Sequence, residues 1–306
     1  MPTVKAFSIF ILFNLILTLS AKATIVEPDS SLTTAPDINN KRLILLGTGF
    51  TAGYAAMLIS LDKAWYKENE RTSFHFFNDN KEWMQMDKAG HLWTSFHESR
   101  AGIDLLRWAG IPDKKAVIYG GLLGLVMQTP VEIFDGYQSE YGASWGDQLA
   151  NTVGSASVIV QELTWNEIRI MPKFSGHTTR YAAERPNVLG NNLSERLLKD
   201  YNGQTYWLSV NVSAFLKEES KYPKWLNIAM GYGADEIVYN HEAANIAQGF
   251  KAHRQYYLSP DLNLMHFKGK NKLLKTALYV LSILKLPAPT LEYNNKDGFK
   301  THLLYF

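Results

Sequence analysis

Three consecutive stretches of this chain have helical periodicity, and each carries one narrow polar stripe on an apolar body. On Met86–Trp108, at about 100° per residue, Asp87, His91, Thr94 and Glu98 fall within about 40° of one another. Leu92, Trp93 and Phe96 face away. The stretch from Lys115 to about Phe134 is strongly apolar up to Met127 and aligns Gly121, Gly124, Gln128, Glu132 and Asp135. Pro130 lacks the amide donor a helix needs and is expected to kink it. Trp145–Trp165 aligns Asp147, Asn151 and Gly154. A charge turned toward lipid would cost ~2.5–3.5 kcal/mol or more near a bilayer centre. Turned inward, each carboxylate can find a donor. The stripes are therefore expected to meet inside an antiparallel four-helix bundle, with Asp87, His91, Glu132 and Asp147 close together.

The fourth member is Leu43–Leu61, an uncharged run between Lys41-Arg42 and Asp62-Lys63. Its length, close to the ~20 residues that span a bilayer, suits a membrane helix. A buried core helix satisfies the same pattern. Gly47, Gly49, Gly53 and Ala56 give it small-residue faces of the kind that let helices approach closely.

After Pro172 the period changes from helical to alternating. Tyr206, Leu208, Val210 and Val212 oppose Trp207, Ser209, Asn211 and Ser213. Trp225–Tyr239, Arg254–Leu264 and Lys300–Phe306 are also strand-like, and Leu273–Leu286 reads as one further helix ended by Pro287 and Pro289. The class is α+β: a helical bundle over residues 41–170, then a strand-rich half over 171–306 forming a small antiparallel sheet, with one helix near 272–286. The terminal aromatic on an alternating strand is a feature of the last strand of outer-membrane barrels. Four or five strands fall short of the eight or so that a barrel requires, so no complete barrel is expected.

The N-terminus has the pattern of a secretory signal. Lys5 is followed by an uncharged run from Ala6 to Leu19 and by Ala21-Lys22-Ala23, an A-x-A cleavage site. Residues 1–23 are the expected signal peptide and 24–40, rich in Ser, Thr, Pro, Asp and Asn, a flexible linker. The expected location is the envelope of a Gram-negative-type bacterium, periplasmic or membrane-associated. The sequence has no cysteine, which excludes disulfides, thiolate metal sites, cysteine nucleophiles and a cysteine-borne lipid anchor. With a net charge of +2 and no long basic run, nucleic acid is not an expected partner. Membrane lipid or another envelope protein is.

Asp87 and His91, one turn apart, could give an oriented acid–base histidine. Glu132, Asp135 and Asp147 could tune pKa values or hold a divalent cation. Asp87, His91, Glu132 and Asp147 are the candidate cluster, and Lys88, Glu98, Gln128, Asp135 and Asn151 its candidate second layer. The same stripes would also serve as hydrogen-bonding glue that fixes helix register.

Met86-Asp87-Lys88-Ala89-Gly90-His91 on one helix, Glu132 on the next, and Ser144-Trp145-Gly146-Asp147-Gln148-Leu149-Ala150-Asn151-Thr152-Val153-Gly154 on the last resemble the YfiM-like family of predicted periplasmic lipoproteins of unknown function. More distantly, the order of a D-K-x-x-H helix, an acidic helix and a D-x-x-A-N-x-x-G helix is similar to VanZ-like membrane proteins. The likeness covers roughly residues 41–165. It implies four helices and an envelope location, and no established activity. The absence of cysteine departs from the lipoprotein label. Lys199–Ser209 resembles an extension of longer family members.

Two apparent motifs carry no function here. Gly47-Thr48-Gly49 with Gly53 imitates a dinucleotide fingerprint, but no second strand ending in an acid follows, so no nucleotide cofactor is expected. His241-Glu242-Ala243-Ala244-Asn245 lacks the second histidine of a zinc protease. No other cofactor is implied. Two functions follow: a non-enzymatic envelope protein that binds a partner or lipid, or a membrane-interface enzyme acting on a lipid or cell-wall precursor through the Asp/His/Glu cluster.

Overall fold

The computed structural model describes residues 38–61, 70–267, 269 and 271–306, and the signal-peptide and linker expectations lie almost entirely outside them. The chain is α+β and divides into two compact units. The helical unit takes the described residues up to Asn78, Thr94–Glu167 and a short segment ending at Thr276. The sheet unit takes Asp79–Trp93, Ile168–Gly269 and Ala277–Phe306.

The helical unit is built on α1 (Asn40–Leu61), most of α2 (Met86–Trp108), α3 (Leu123–Asp135) and α4 (Trp145–Trp165). Asp113–Lys115 and a π-helical turn, Ala116–Gly120, lead into α3. The irregularity thus precedes the helix, while Pro130 lies inside it. Helices α2 and α3 meet backbone to backbone. A Cβ on Gly124 would stand 2.0 Å from the Ser95 carbonyl oxygen, and one on Gly102 would stand 2.4 Å from that of Gly120. Only glycine permits that approach. Met57, Leu105 and Met127 form the apolar centre where α1 packs on α2 and α3. The Tyr54 hydroxyl donates to the Met127 carbonyl at 2.6 Å. Arg42 donates to the Trp108 carbonyl at 2.7 Å and lies over its ring. Arg107 on α2 pairs with Glu162 on α4 at 2.6 Å.

Helix α1 is not a buried core helix: only 6% of its most apolar stretch is enclosed by the rest of the chain. Gly47 and Gly49 have nothing within 4 Å of an added Cβ, so they do not form the expected contact face. The close approach falls to Gly102, Gly120 and Gly124 instead.

The sheet unit is a six-stranded antiparallel meander in chain order: β1 (Ile170–Gly176), β2 (Gln204–Val210), β3 (Leu226–Asp235), β4 (His253–Leu262), β5 (Ala288–Asn294) and β6 (Gly298–Tyr305). Strands β1 and β5 are additions to the expected set. Both contain proline, at Pro172 and Pro289, which weakens the strand pattern. Helix α5 (Lys272–Ser282) stops four residues before the expected end. The backbone of residues 283–285 pairs with Phe174 and covers the free edge of β1, with bonds of 3.0 and 2.8 Å.

The two faces of this sheet are reversed relative to a water-soluble one. Its buried face is polar: Lys173, Ser175, Ser209, Asp261, Glu292 and Asn294 lie there beside Trp207 and Tyr257. Gly231, opposite Trp207, leaves room for the indole, since a Cβ would fall 2.7 Å from the ring. The outer face is apolar and ordered in rows by the strand register, exposed at Leu208, Met230 and Leu258 and partly covered at Phe174, Tyr206 and Tyr232, which pack against Trp93 and Met86. Phe174, Tyr206, Tyr232, Tyr256, Tyr293 and Phe299 form one aromatic row across all six strands. Two residues along each strand, Pro172, Leu208, Met230, Leu258, Leu291 and Thr301 form the next.

Candidate functional site

Helix α4 begins at Ser144, whose hydroxyl oxygen accepts from the Asp147 amide at 3.1 Å. In the usual reciprocal cap the acidic side chain at the third helical position would return to the amide of the capping residue. Here Glu132, from α3, accepts the Ser144 amide at 3.0 Å instead. Asp147 is thereby relieved of that capping role. The carboxylate oxygens of Glu132 and Asp147 come within 4.8 Å of one another. Both residues are buried, each 5% exposed, in a segment whose outer surface is apolar.

Deeper in the unit the polar stripes are joined directly. Gln128 donates to Glu98 at 2.8 Å, linking α3 to α2. Ser99 donates to Ser155 at 2.9 Å and accepts the Gly124 amide at 3.1 Å, tying α2, α4 and α3 together. Asn151 is fully buried. Asp135 is only half-buried, at the end of α3. The wheel placed Glu98 correctly, but Phe96 does not face away from the interior. It is fully buried, as are Ser95, Ser99 and Ile103, because this part of α2 is enclosed on all sides. His97 and Arg100 are buried too, and sequence reasoning missed them because they lie off the stripe.

The first turns of α2 belong to the sheet unit. There Lys88 bridges Asp79 at 2.8 Å and Asp87 at 2.9 Å, and the ligand oxygens of the two aspartates lie within 4.8 Å. Asp79 was not among the expected residues. It lies before the helix begins, where periodicity gives no signal. His91 follows Asp87 by one turn on the same helix face.

The entry into α2 is strained. Trp83, Met84 and Gln85 have φ of 45°, 53° and 61°, three consecutive non-glycine residues in the left-handed region. Each costs roughly 1–2 kcal/mol against the right-handed form. Neighbours fix the turn. Tyr232 donates to the Met84 carbonyl, Arg254 to the Gln85 side chain at 2.6 Å, and Gln85 to the Asn80 carbonyl at 2.6 Å. Met84, Gln85 and Arg254 also line a cavity of about 530 Å³ together with His241, Asn245 and Tyr293. Asn245 is a loop organiser there. Its side chain accepts from the Val238 and Tyr239 amides at 2.9 and 3.0 Å and donates to the Tyr239 and His241 carbonyls. A histidine in its place could not make all four bonds, which accounts for the incomplete zinc motif.

Residues 75–162 match the model of a family described as predicted periplasmic lipoprotein (DUF2279). The match takes in α2, α3 and α4 with all four cluster residues, and leaves out α1 and the six strands. No curated protein and no solved structure matches the chain. The α2–α4 segment is therefore similar to this family of unknown function, and the match supports an exported, envelope-associated location of the Gram-negative type for the chain that carries it.

Proposed function

We propose that this chain is a non-enzymatic, membrane-embedded binding protein of the envelope. In this reading α1 to α4 form a four-helix bundle, and the Glu132 and Asp147 carboxylates inside it hold a cation. The observation that carries it is the approach of the buried Glu132 and Asp147 carboxylates to within 4.8 Å of one another. Two like charges so close and so shielded favour a bound cation or a shared proton. The family segment supports the grouping, since its limits contain both residues. Membrane embedding is supported by α1 and by Asp113–Asp135, each long and apolar enough to cross a bilayer. It is supported also by α4, where Leu149, Val153 and Val160 are exposed while Asp147, Asn151 and Ser155 are buried.

The test is calorimetric titration of the purified chain in detergent with Mn²⁺ and with Zn²⁺. The variants are Glu132→Gln and Asp147→Asn, which keep shape and remove charge. Glu132→Gln still offers an oxygen to the Ser144 amide, so folding should survive. Binding by the parent chain, weakened at least tenfold in each variant at unchanged abundance, is the expected result. A parent that binds neither ion, with variants that accumulate poorly, would make the cluster structural glue and overturn the proposal.

A further inference from the structure

The outer face of the sheet is the strongest feature that the polar cluster leaves unused. Leu208, Ile228, Met230, Leu258 and Leu291 are 39–53% exposed, and Leu303 is 91% exposed. They are adjacent rows of one continuous apolar surface. A soluble sheet would turn this face inward and place its serines, lysines and acids outside. This chain does the reverse, and it commits the polar face to bonds of its own: Lys173 to Asp261 at 2.6 Å, Ser209 to Asp261 at 2.6 Å, Trp207 to Ser175 at 2.9 Å. The apolar face therefore cannot be reburied by turning the sheet over.

The chemistry along the strands identifies what covers it. The aliphatic rows are bounded at one end by the uncovered half of the aromatic row, Tyr256, Tyr293 and Phe299, all exposed. At the other end stand Phe215, Trp225 and Phe267, also exposed. From Trp225 to Tyr232 is about 23 Å of strand at ~3.3 Å per residue. Aromatic side chains with polar tips favour the headgroup level, and aliphatic ones the hydrocarbon beneath. Next to Trp225 and Phe215 are Lys217, Lys221 and Lys224, set against Glu218 and Glu219, a small basic excess at the rim that suits anionic headgroups. A protein partner has no need of aromatics confined to the two ends of an aliphatic field. An envelope location supplies the membrane.

We infer that the sheet docks face-on against a lipid bilayer, its aliphatic rows in the upper acyl region and its two aromatic borders among the headgroups. Six strands in an open meander are too few to close a barrel, so the sheet rests in one leaflet and does not cross it. This inference concerns the sheet unit and does not depend on cation binding by the helices.

The chain has no cysteine, so one introduced at a time is a unique labelling site. The experiment places a nitroxide at Leu208→Cys, Met230→Cys or Leu258→Cys in the full chain, reconstituted in phosphatidylethanolamine–phosphatidylglycerol vesicles. Relaxation by oxygen, which concentrates in lipid, is compared with relaxation by a water-soluble nickel chelate. Leu149→Cys on α4 reports lipid contact of the helical unit separately, and Lys217→Cys marks the aqueous rim. These positions are exposed, so labels there leave the fold intact. The expected result is an oxygen-to-nickel ratio severalfold higher at the three sheet sites than at Lys217→Cys, falling when the phosphatidylglycerol is omitted. Nickel-accessible sheet sites in vesicles where Leu149→Cys still reports lipid would overturn sheet docking alone. Strong dipolar broadening between labels on separate copies, with both relaxants excluded, would show a face-to-face dimer and overturn it equally.

Discussion

Lys285 shows how a full charge is held inside the sheet unit. Its side chain is completely buried, donates to the Leu286 carbonyl at 2.8 Å and lies 4.0 Å from Asp261 and 5.2 Å from the centre of the Trp207 ring. Burial pushes its pKa down to about 8, against the opposing pull of Asp261. The unfolded chain keeps an ordinary lysine value of 10.5. Between these two values the unfolded state binds more protons than the folded one, so this residue's contribution to stability rises with pH across that window. Chemical unfolding of the parent chain and of Lys285→Met at pH 7.5 and at pH 10 should show the difference moving in the parent's favour by ~2 kcal/mol. A difference that stays flat would mean that Lys285 titrates normally. The residue scale also explains what a motif scan cannot. Asn245 interrupts a zinc-protease pattern because four backbone groups need an amide there.

At the scale of elements, the α2–α3 contact depends on missing side chains. Gly124 faces the Ser95 carbonyl at a distance no Cβ tolerates, and backbone cannot swing aside as a flexible side chain would. Gly124→Ala is expected to cost more than ~3 kcal/mol or to abolish accumulation of the chain, through overpacking at a backbone contact. Gly47→Ala, with open space around it, should be neutral or stabilising by ~0.5–1 kcal/mol in the helix. Abundance and thermal melting of the two variants in the same detergent would check the pair. Equal effects would refute the close-packing account. Both glycines lie on helical stripes in the sequence, and nothing local distinguishes them. Which stripe touches another helix is a tertiary property.

At the scale of the molecule, both units share one feature: beside an apolar core, each buries charged and amide side chains while leaving large apolar ones exposed. In the helical unit Glu98, Gln128, Glu132 and Asp147 are inside and Ile44, Leu45, Val126 and Leu149 outside. In the sheet unit Asp261 and Glu292 are inside and Met230 and Leu258 outside. Exposed apolar surface on this scale is unstable in water and marks a lipid or protein contact. The chain is therefore expected to stay with the membrane pellet through alkaline carbonate extraction of envelopes and to leave it only with detergent. Release by carbonate alone would place it among peripheral proteins and remove the basis for embedding.

The sequence by itself determined the class, the order of helices before strands, the span of α2 from Met86 to Trp108 and the burial of Glu98, Gln128, Glu132, Asp147 and Asn151. Each of these is written in a local period, and periodicity is what a linear reading can detect. It failed at β1 and β5, where proline blurs the alternation, and at Trp83–Gln85, where neighbours impose a left-handed turn that no local preference favours. Alternation along a strand names two faces but not which one is buried. Tyr206 and Leu208 share one face of β2, Trp207 and Ser209 the other. Ordinary hydrophobicity would bury the former pair's side. The tertiary structure buries the latter, because Lys173, Ser209 and Asp261 satisfy one another only when three strands bring them together. That choice rests on contacts between residues tens of positions apart, and it alone decides that the outer surface of this sheet is apolar.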